Sequence, residues 1–235
     1  MELEIPSGNP LYNRYILGEN SIKALRKSIC RKLRIITMMV LRESSTRMSI
    51  RCEWARDQIE IDYHDKEWGI PLHNDRKLFE FLVLEGMQAG LSWRIILNKR
   101  QEFRKAFDKF EVELVANYDN MKIKDLCSNS LIIRNKKKIE ATVSNANAFI
   151  RIQKEFGSFD TYIWNFVRYK PIQNSWKSYN DVPSTSQESD IICKDLRSKG
   201  FKFVGSKICY SMMQAIGMVN DHTTGCFRYK QLRRE

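Results

Sequence analysis

Apolar residues recur at helical spacing through most of the chain beyond Met48. One stripe follows the candidate cap residues Asn74 and Asp75 and ends near Gly86, which predicts a buried helix. Two further stripes, the first of them after a candidate cap at Ser92, also have the period of a helix face. The three stripes consist of Leu78, Phe79, Leu82 and Val83, then Trp93, Ile96, Leu97, Phe103 and Phe107, and then Ile139, Val143, Ala146 and Ile150.

Two more helices are predicted towards the C-terminus. One begins at Ser186 or Ser189, whose side chains are suited to an N-cap, and closes at Gly200. The last runs from Ser206 to Gly217. Helices therefore account for the recognisable apolar periods of this part of the chain.

The apolar pattern divides the chain into an all-α domain and a basic extension. Strand-like alternation is confined to residues 201–204, so an all-α fold is predicted for residues 48–235. Residues 1–47 carry nine basic and four acidic side chains. We expect them to be a poorly ordered extension, or translated sequence upstream of a start at Met48. A basic amphipathic helix over residues 21–41 is the alternative.

Composition indicates a class of partner and a compartment. The 235 residues include 40 Lys+Arg against 28 Asp+Glu, a formal net charge of +12. This favours a polyanionic partner, with nucleic acid ahead of an anionic membrane surface. The six cysteines lack the spacing of a disulfide framework, which is typical of reduced thiols in the cytoplasm. The longest apolar run near the N-terminus, residues 35–41, is far short of the ~20 residues of a membrane span. We therefore expect a soluble cytoplasmic monomer without a membrane partner.

Two cysteines and two histidines form matched pairs at opposite ends of the predicted domain. Cys52 lies twelve positions before His64, and His222 lies four positions before Cys226. Two thiolates and two imidazoles are a complete tetrahedral ligand set for Zn²⁺, with no position left for water. The sequence thus predicts a structural zinc clasp that joins the start of the domain to its end.

Several motifs resemble, in the same order, those of the bacterial 3-methyladenine DNA glycosylase I family. They are RCEW at 51–54, YHDKEWGIP at 63–71, LEGMQAGLSW at 84–93, IIRN at 132–135, GFKFVG at 200–205, CYSMMQA at 209–215 and NDHTTGC at 220–226. The resemblance covers roughly residues 50–227. It implies a helix-hairpin-helix DNA glycosylase that excises 3-methyladenine from alkylated double-stranded DNA in base excision repair. It also implies that the four Cys and His residues are zinc ligands.

The resemblance further implies a base pocket. Trp54, Tyr63, Trp68 and Trp93 match its aromatic residues, and Glu85 matches its carboxylate and is the candidate catalytic residue. A glycosylase must extrude the nucleotide to reach its bond. An adenine methylated at N3 is cationic, so aromatic faces and a carboxylate suit it. It is also a good leaving group, and we expect monofunctional hydrolysis without lyase activity. Two other interpretations of Glu85 are that it acts as a general base for water or that it only forms an ion pair.

DNA contacts are predicted around the segment 127–139. Backbone N–H groups at the start of its second helix suit phosphates, and salt should weaken the binding. The basic side chains of this segment are Arg134, Lys136, Lys137 and Lys138. Leu91 is a candidate wedge for the gap left by a flipped base, or else a core residue.

Three positions depart from the family pattern. Leu131 and Lys137 stand where glycine is usual, and bulky residues resist the positive φ that glycine permits. Glu60 replaces a tyrosine near the substrate and adds negative charge if it reaches the pocket. These departures keep two alternatives open: a non-catalytic, zinc-stabilised DNA-binding module, and the same fold acting on another alkylated base.

Overall fold

The computed structural model describes residues 50–233, so the predictions for residues 1–47 lie outside the described part. Within it, ten α-helices and one pair of short strands are present. The helices are α1 Gln58–Lys66, α2 Asp75–Gln88, α3 Trp93–Ala106, α4 Val112–Ala116, α5 Asn120–Ser128, α6 Lys136–Phe156, α7 Phe159–Asn165, α8 Gln187–Ser198, α9 Ser206–Ala215 and α10 Phe227–Leu232. The strands are β1 Ile172–Gln173 and β2 Val219–Asn220, and 3₁₀ turns occur at Asp108–Phe110 and Tyr179–Asp181.

The described chain is mostly helical, as predicted, but its one strand pair lies elsewhere than expected. The run at residues 201–204 is a turn, in which Phe203 has a φ of 55°. Only Phe201 and Val204 of this run are buried, so the apparent alternation comes from two residues that anchor a turn. The strands that do form, β1 and β2, are two residues long and pair in parallel.

Helices begin at or beside the predicted capping residues. The Asn74 side chain accepts from the Lys77 N–H at 3.1 Å and begins α2. Ser186 rather than Ser189 begins α8, and the two serines form a reciprocal capping box. Ser92 stands at the start of α3, but its side chain makes no capping hydrogen bond.

Helix α2 forms the centre of the core and carries two buried carboxyl groups. All residues from 78 to 87 are buried. Glu80 is paired with Arg100 at 2.6 Å and with Arg104 at 2.8 Å, so its charge is compensated. Glu85, one and a half turns further on, has no Lys or Arg partner among the described residues. The charge of Glu80 is therefore balanced within the described core, whereas Glu85 has no basic partner there.

The turn at Gly217 returns the C-terminal segment to the start of the domain. Its φ is +76°, and an added Cβ would lie 2.5 Å from the backbone of Ile70 and Pro71. Only glycine fits both constraints. The segment that follows β2 can therefore lie against the residues around α1.

No helix in the described range 50–233 combines the length and the apolar character needed to cross a bilayer.

Candidate active site

A cavity of about 200 Å³ opens where α1, the end of α2, the start of α3 and α9 converge. All five residues predicted for the base pocket contribute to its lining: Trp54, Tyr63, Trp68, Glu85 and Trp93. Glu60 also lines the cavity, so this departure from the family pattern adds a second carboxylate to the wall. The fold thus brings together residues that are spread over positions 54–93.

The aromatic rings form a continuous wall. Between ring centroids, Trp54 lies 5.0 Å from Trp68 and 6.2 Å from Tyr63, and Tyr63 lies 5.5 Å from Trp93. The corresponding interplanar angles are 77°, 55° and 50°, so the rings meet edge to face or tilted rather than stacked. Such a wall suits a flat or cationic guest, which the electron-rich ring faces attract.

Three buried polar atoms of the lining residues lack a hydrogen-bond partner in the described chain. They are Oε2 of Glu85, Nε1 of Trp54 and Nε1 of Trp93. Buried polar groups are almost always hydrogen-bonded, and an unpaired one costs about 1–3 kcal/mol. These three atoms are therefore the polar groups of the lining residues that water or a bound molecule can still satisfy.

Burial determines the charge of Glu85. Its side chain is 3% exposed, and burial raises its pKa to about 8. Burial and the nearby Glu85 carboxylate also raise the pKa of the Tyr63 phenol, which remains a neutral O–H at pH 7. The cavity therefore holds a carboxyl group whose ionisation a cationic guest would favour.

The sequence does not predict the rest of the lining. The further residues are Gln88, Ser92, Arg94, Tyr179, Ser211 and Gln214. Ser211 and Gln214 lie in the motif CYSMMQA, but helical periodicity reveals only which face is buried. Tyr179 comes from a 3₁₀ turn 73 positions beyond the end of α3, and no pattern in the sequence points to it.

The four predicted metal ligands converge in a second cluster. Cys52, His64, His222 and Cys226 are all buried, and their ligand atoms lie within 4.8 Å of one another. Cys226 Sγ lies 3.4 Å from His64 Nε2 and 3.5 Å from His222 Nδ1, and Cys52 Sγ lies 3.5 Å from the same Nδ1. A tetrahedral zinc ion, with bonds of about 2.3 Å to sulfur and about 2.0–2.1 Å to nitrogen, puts neighbouring ligand atoms about 3.5 Å apart. The donor set and its spacing fit Zn²⁺.

Both histidine rings are held by their outer nitrogens. His64 Nδ1 lies 2.7 Å from Asp65, which is in turn paired with Arg51 at 2.8 Å. His222 Nε2 lies 3.2 Å from the carbonyl oxygen of Trp68. When each outer nitrogen donates to such a partner, the inner one presents its lone pair to a metal. Because the Trp68 ring also lies 4.5 Å from the His222 ring, the cluster supports the wall of the cavity.

The residues predicted to contact DNA fall into two groups. The exposed ones are Leu91, Arg134, Lys136 and Lys137. Lys138 differs, because it is 7% exposed and its Nζ donates to the carbonyl oxygens of Met87 at 2.8 Å and Ala89 at 2.7 Å. Its ammonium group thus satisfies carbonyl groups at the end of α2, which the exposed residues of the set do not do, and its contact with DNA stays a prediction.

The missing glycines do not strain the loop between α5 and α6. Neither Leu131 nor Lys137 is among the described residues with positive φ. The Leu131 N–H donates to the Asn129 side chain at 2.9 Å, and Asn135 caps α6 by accepting from the Lys138 N–H. The loop therefore keeps its local hydrogen bonds without glycine.

Fold and cavity place the chain among helical DNA glycosylases. A family model described as methyladenine glycosylase matches residues 54–229, which include the whole cavity lining. The chain is 43% identical to the DNA-3-methyladenine glycosylase of Haemophilus influenzae and 41% identical to DNA-3-methyladenine glycosylase 1 of Escherichia coli K12. Each match covers 76% of this chain, and 97% and 96% of the respective relative. The chain belongs to the methyladenine glycosylase family. The predicted family and enzyme class, an N-glycosyl hydrolase, are confirmed.

Solved structures of this family have the same fold. The crystal structure of a 3-methyladenine DNA glycosylase I is 44% identical, with a TM-score of 0.74 over 76% of this chain and 98% of that one. A 3-methyladenine DNA glycosylase I from Staphylococcus aureus, whose structure concerns 3-methyladenine recognition, is 34% identical. Its TM-score is 0.73 over 75% of this chain and 95% of that one.

Proposed function

We propose that this protein excises 3-methyladenine from alkylated duplex DNA by hydrolysing the N-glycosidic bond. The observation that carries the proposal is Glu85, a buried carboxyl group with an unpartnered oxygen in an aromatic cavity. An adenine methylated at N3 supplies what this carboxyl group lacks, a positive charge and an amine donor. A non-catalytic DNA-binding module would need neither the cavity nor the unpaired carboxyl group.

The nucleotide enters the cavity by leaving the base stack, because its glycosidic bond is out of reach inside a duplex. The turn between α2 and α3 flanks the cavity through Gln88 and Ser92, which line it. Between them, Gly90 has a φ of +82° and Leu91 is 36% exposed. This exposed apolar tip beside the cavity supports the proposal that Leu91 fills the gap left by the flipped base.

Bond cleavage depends on alignment and electrostatics. Glu85 accepts from the exocyclic amine, and the aromatic wall holds the base in plane. As the bond between C1′ and N9 breaks, its electron pair goes to N9 and neutralises the cationic base, while water adds to C1′ and loses a proton to solvent. Among residues 50–233, no lysine lines the cavity, so this part of the chain places no amine there to form a Schiff base. The products are free 3-methyladenine and an abasic site.

The efficiency of base release should rise with pH up to about 8. Burial raises the pKa of Glu85 to about 8, so below this pH the free enzyme holds a neutral carboxyl group that attracts a cation weakly. We expect kcat/KM to gain about tenfold per pH unit in the acidic range, and kcat to level off at lower pH, because the bound cation favours the carboxylate. Release rates from methylated duplex DNA measured across the neutral range test this. The Glu85→Gln variant should have a flat profile, and a flat profile in the wild type would contradict a titrating Glu85.

Exposed charge at the start of α6 is proposed to bind the DNA backbone, and two adjacent lysines provide a matched test. Lys137→Met should weaken binding and reduce the salt slope by about one, because one phosphate contact is lost. Lys138→Met should leave that slope unchanged but lower the melting temperature, because the carbonyl groups of Met87 and Ala89 lose their donor. Fluorescence anisotropy over a range of salt concentrations measures the slopes. If the salt slopes of Lys137→Met and the wild type are equal, Lys137 does not contact the DNA backbone.

We also propose that the Cys and His cluster binds a structural Zn²⁺ ion. All four positions of a tetrahedral ion would be filled by Cys52, His64, His222 and Cys226, so the metal would supply folding free energy rather than a reactive water. It would join the segment before α1 to the segment after β2. Through Trp68, it would also hold one wall of the cavity in place.

A related enzyme for a different alkylated base is the second candidate, and Glu60 favours it. Glu60 lines the cavity, accepts from the Arg56 N–H at 3.1 Å and has no ion pair among the described side chains. A second negative charge increases the preference for cationic bases without selecting adenine. Chromatography of all the bases released from methylated DNA separates the candidates. Release of 3-methyladenine alone supports the first, and predominant release of another methylated base supports the second.

A further inference from the structure

A buried carboxylate behind the cavity receives four hydrogen bonds. Asp221, which follows β2, is 2% exposed. Its Oδ1 accepts from Asn174 Nδ2 and Trp176 Nε1, and its Oδ2 accepts from the Tyr210 O–H and Gln214 Nε2, each at 2.7 Å. Four donors fill the acceptor positions of a carboxylate. Asp221 therefore fixes the orientation of side chains from several segments at once.

Of these four donors, only Gln214 lines the base cavity. A glutamine side chain can present either its carbonyl oxygen or its –NH₂ group to a neighbour. Both oxygens of Asp221 accept hydrogen bonds, so Asp221 takes the –NH₂ group of Gln214. The carbonyl Oε1 is the end of the amide that remains for the cavity.

We infer that Gln214 is a specificity-determining residue, whose Oε1 accepts from the amino edge of the bound purine, and that Asp221 is the positioning residue that orients it. The inference rests on the proposed function, because it takes the cavity to be the base pocket. A 6-amino purine has two N–H groups at this edge, one for Glu85 and one for Gln214. A 6-oxo purine has an acceptor there, which Gln214 Oε1 repels. Glu85 and Gln214 together therefore select 6-amino over 6-oxo purines.

Asp221→Asn should reverse the Gln214 amide. The Trp176 indole N–H is only a donor, so it keeps the carbonyl oxygen of the new amide on its own side. The new –NH₂ group then faces Tyr210 and Gln214. Gln214 must turn its carbonyl oxygen towards that donor and its –NH₂ group towards the cavity. Asp221→Asn thus changes an acceptor into a donor without replacing a residue of the cavity wall.

Binding of the free bases 3-methyladenine and 3-methylguanine tests the inference, with quenching of the cavity tryptophans as the signal. The wild type should prefer 3-methyladenine. Gln214→Met, which removes the acceptor but keeps an unbranched chain of similar length, should weaken 3-methyladenine binding about tenfold. Asp221→Asn should weaken it at least as much and should also reduce or reverse the preference over 3-methylguanine. Release of the same two bases from dimethyl sulfate-treated duplex DNA should follow the same order.

Asn174→Ala is the matched control, because Asn174 donates to the other oxygen of Asp221 and lies outside the cavity lining. It should keep the wild-type preference, with a thermal melt to confirm folding. The inference is overturned if Gln214→Met binds 3-methyladenine like the wild type, or if Asp221→Asn and Asn174→Ala weaken both bases equally. If Asp221→Asn does not fold, the binding of 3-methyladenine by Gln214→Met alone decides whether the inference holds. A wild type that binds neither base contradicts the proposed function itself, whereas normal wild-type binding with an unaffected Gln214→Met contradicts only this inference.

Discussion

Glu85→Gln should reduce base release by roughly 100- to 1,000-fold, the scale of losing one preorganised electrostatic group from an active site. Glutamine keeps the shape of the side chain but removes the negative charge that attracts the cationic base. The loss in kcat/KM should be largest at about pH 8 and above, where the free enzyme carries a charged Glu85. Single-turnover release of 3-methyladenine from methylated duplex DNA measures it.

The same substitution should make the fold more stable. Burial raises the pKa of Glu85 from 4.5 to about 8, so between these values the folded chain keeps a proton that the unfolded chain loses. Stability therefore falls as pH rises through this window. Glutamine has no such proton. Glu85→Gln should therefore raise the free energy of unfolding by an amount of the order of 3 kcal/mol at pH 7. Thermal melts should show Glu85→Gln above the wild type at pH 8 and equal to it at pH 4.

Glu80→Gln provides the opposite control on the same helix. Glu80 is also buried, but it is ion-paired with Arg100 and Arg104. Removing one partner of a buried ion pair should cost about 3 kcal/mol or more, with base release retained in the protein that remains folded. The assignment of Glu85 to the active site would be contradicted if Glu85→Gln released the base at the wild-type rate. Equal losses of release in Glu85→Gln and Glu80→Gln would contradict it as well.

Cys226→Ser should unfold the domain at ordinary temperatures. Structural zinc contributes an apparent ~10–16 kcal/mol in small zinc domains, which matches or exceeds the ~5–15 kcal/mol net stability of a typical protein. A strong chelator should have the same effect on the wild type, and elemental analysis should find one zinc ion per chain. Loss of the metal should also reduce base release, because Trp68 packs against His222.

Cys127→Ser is the control for the metal prediction. Cys127 is a half-buried free cysteine outside the cluster, and its replacement should change stability by about 1 kcal/mol or less. A protein purified without metal that melts like the zinc-loaded form would contradict the zinc proposal. A Cys226→Ser variant with the wild-type melting temperature would do the same.

Features that depend on local chemistry were predictable from the sequence. The start of α2 at Asn74 follows from the capping preference of a short polar side chain before an apolar stripe. The Cys and His cluster spans more than 170 positions, yet it was predictable because few residue types bind zinc. The pocket aromatics and Glu85 were predicted from family motifs, and the fold brings them to one cavity.

Features that depend on tertiary packing were not predicted. Lys136, Lys137 and Lys138 look alike in sequence, but only Lys138 shares the helix face of the buried Thr142 and Asn145. The helical spacing of Lys138 from these two residues was the available signal of its burial. The positive charge of the side chain instead suggested an exposed position. The donors around Asp221 lie between 7 and 47 positions away from it in sequence, so no single local pattern predicts this hydrogen-bond network.

Base release from methylated duplex DNA by the wild-type protein tests the central claim most directly. The protein should be folded and zinc-loaded, and the released bases should be separated by chromatography. We predict free 3-methyladenine as the main product, with the abasic strand left intact. No release of any methylated base by this protein would contradict the glycosylase proposal and would favour a DNA-binding module instead.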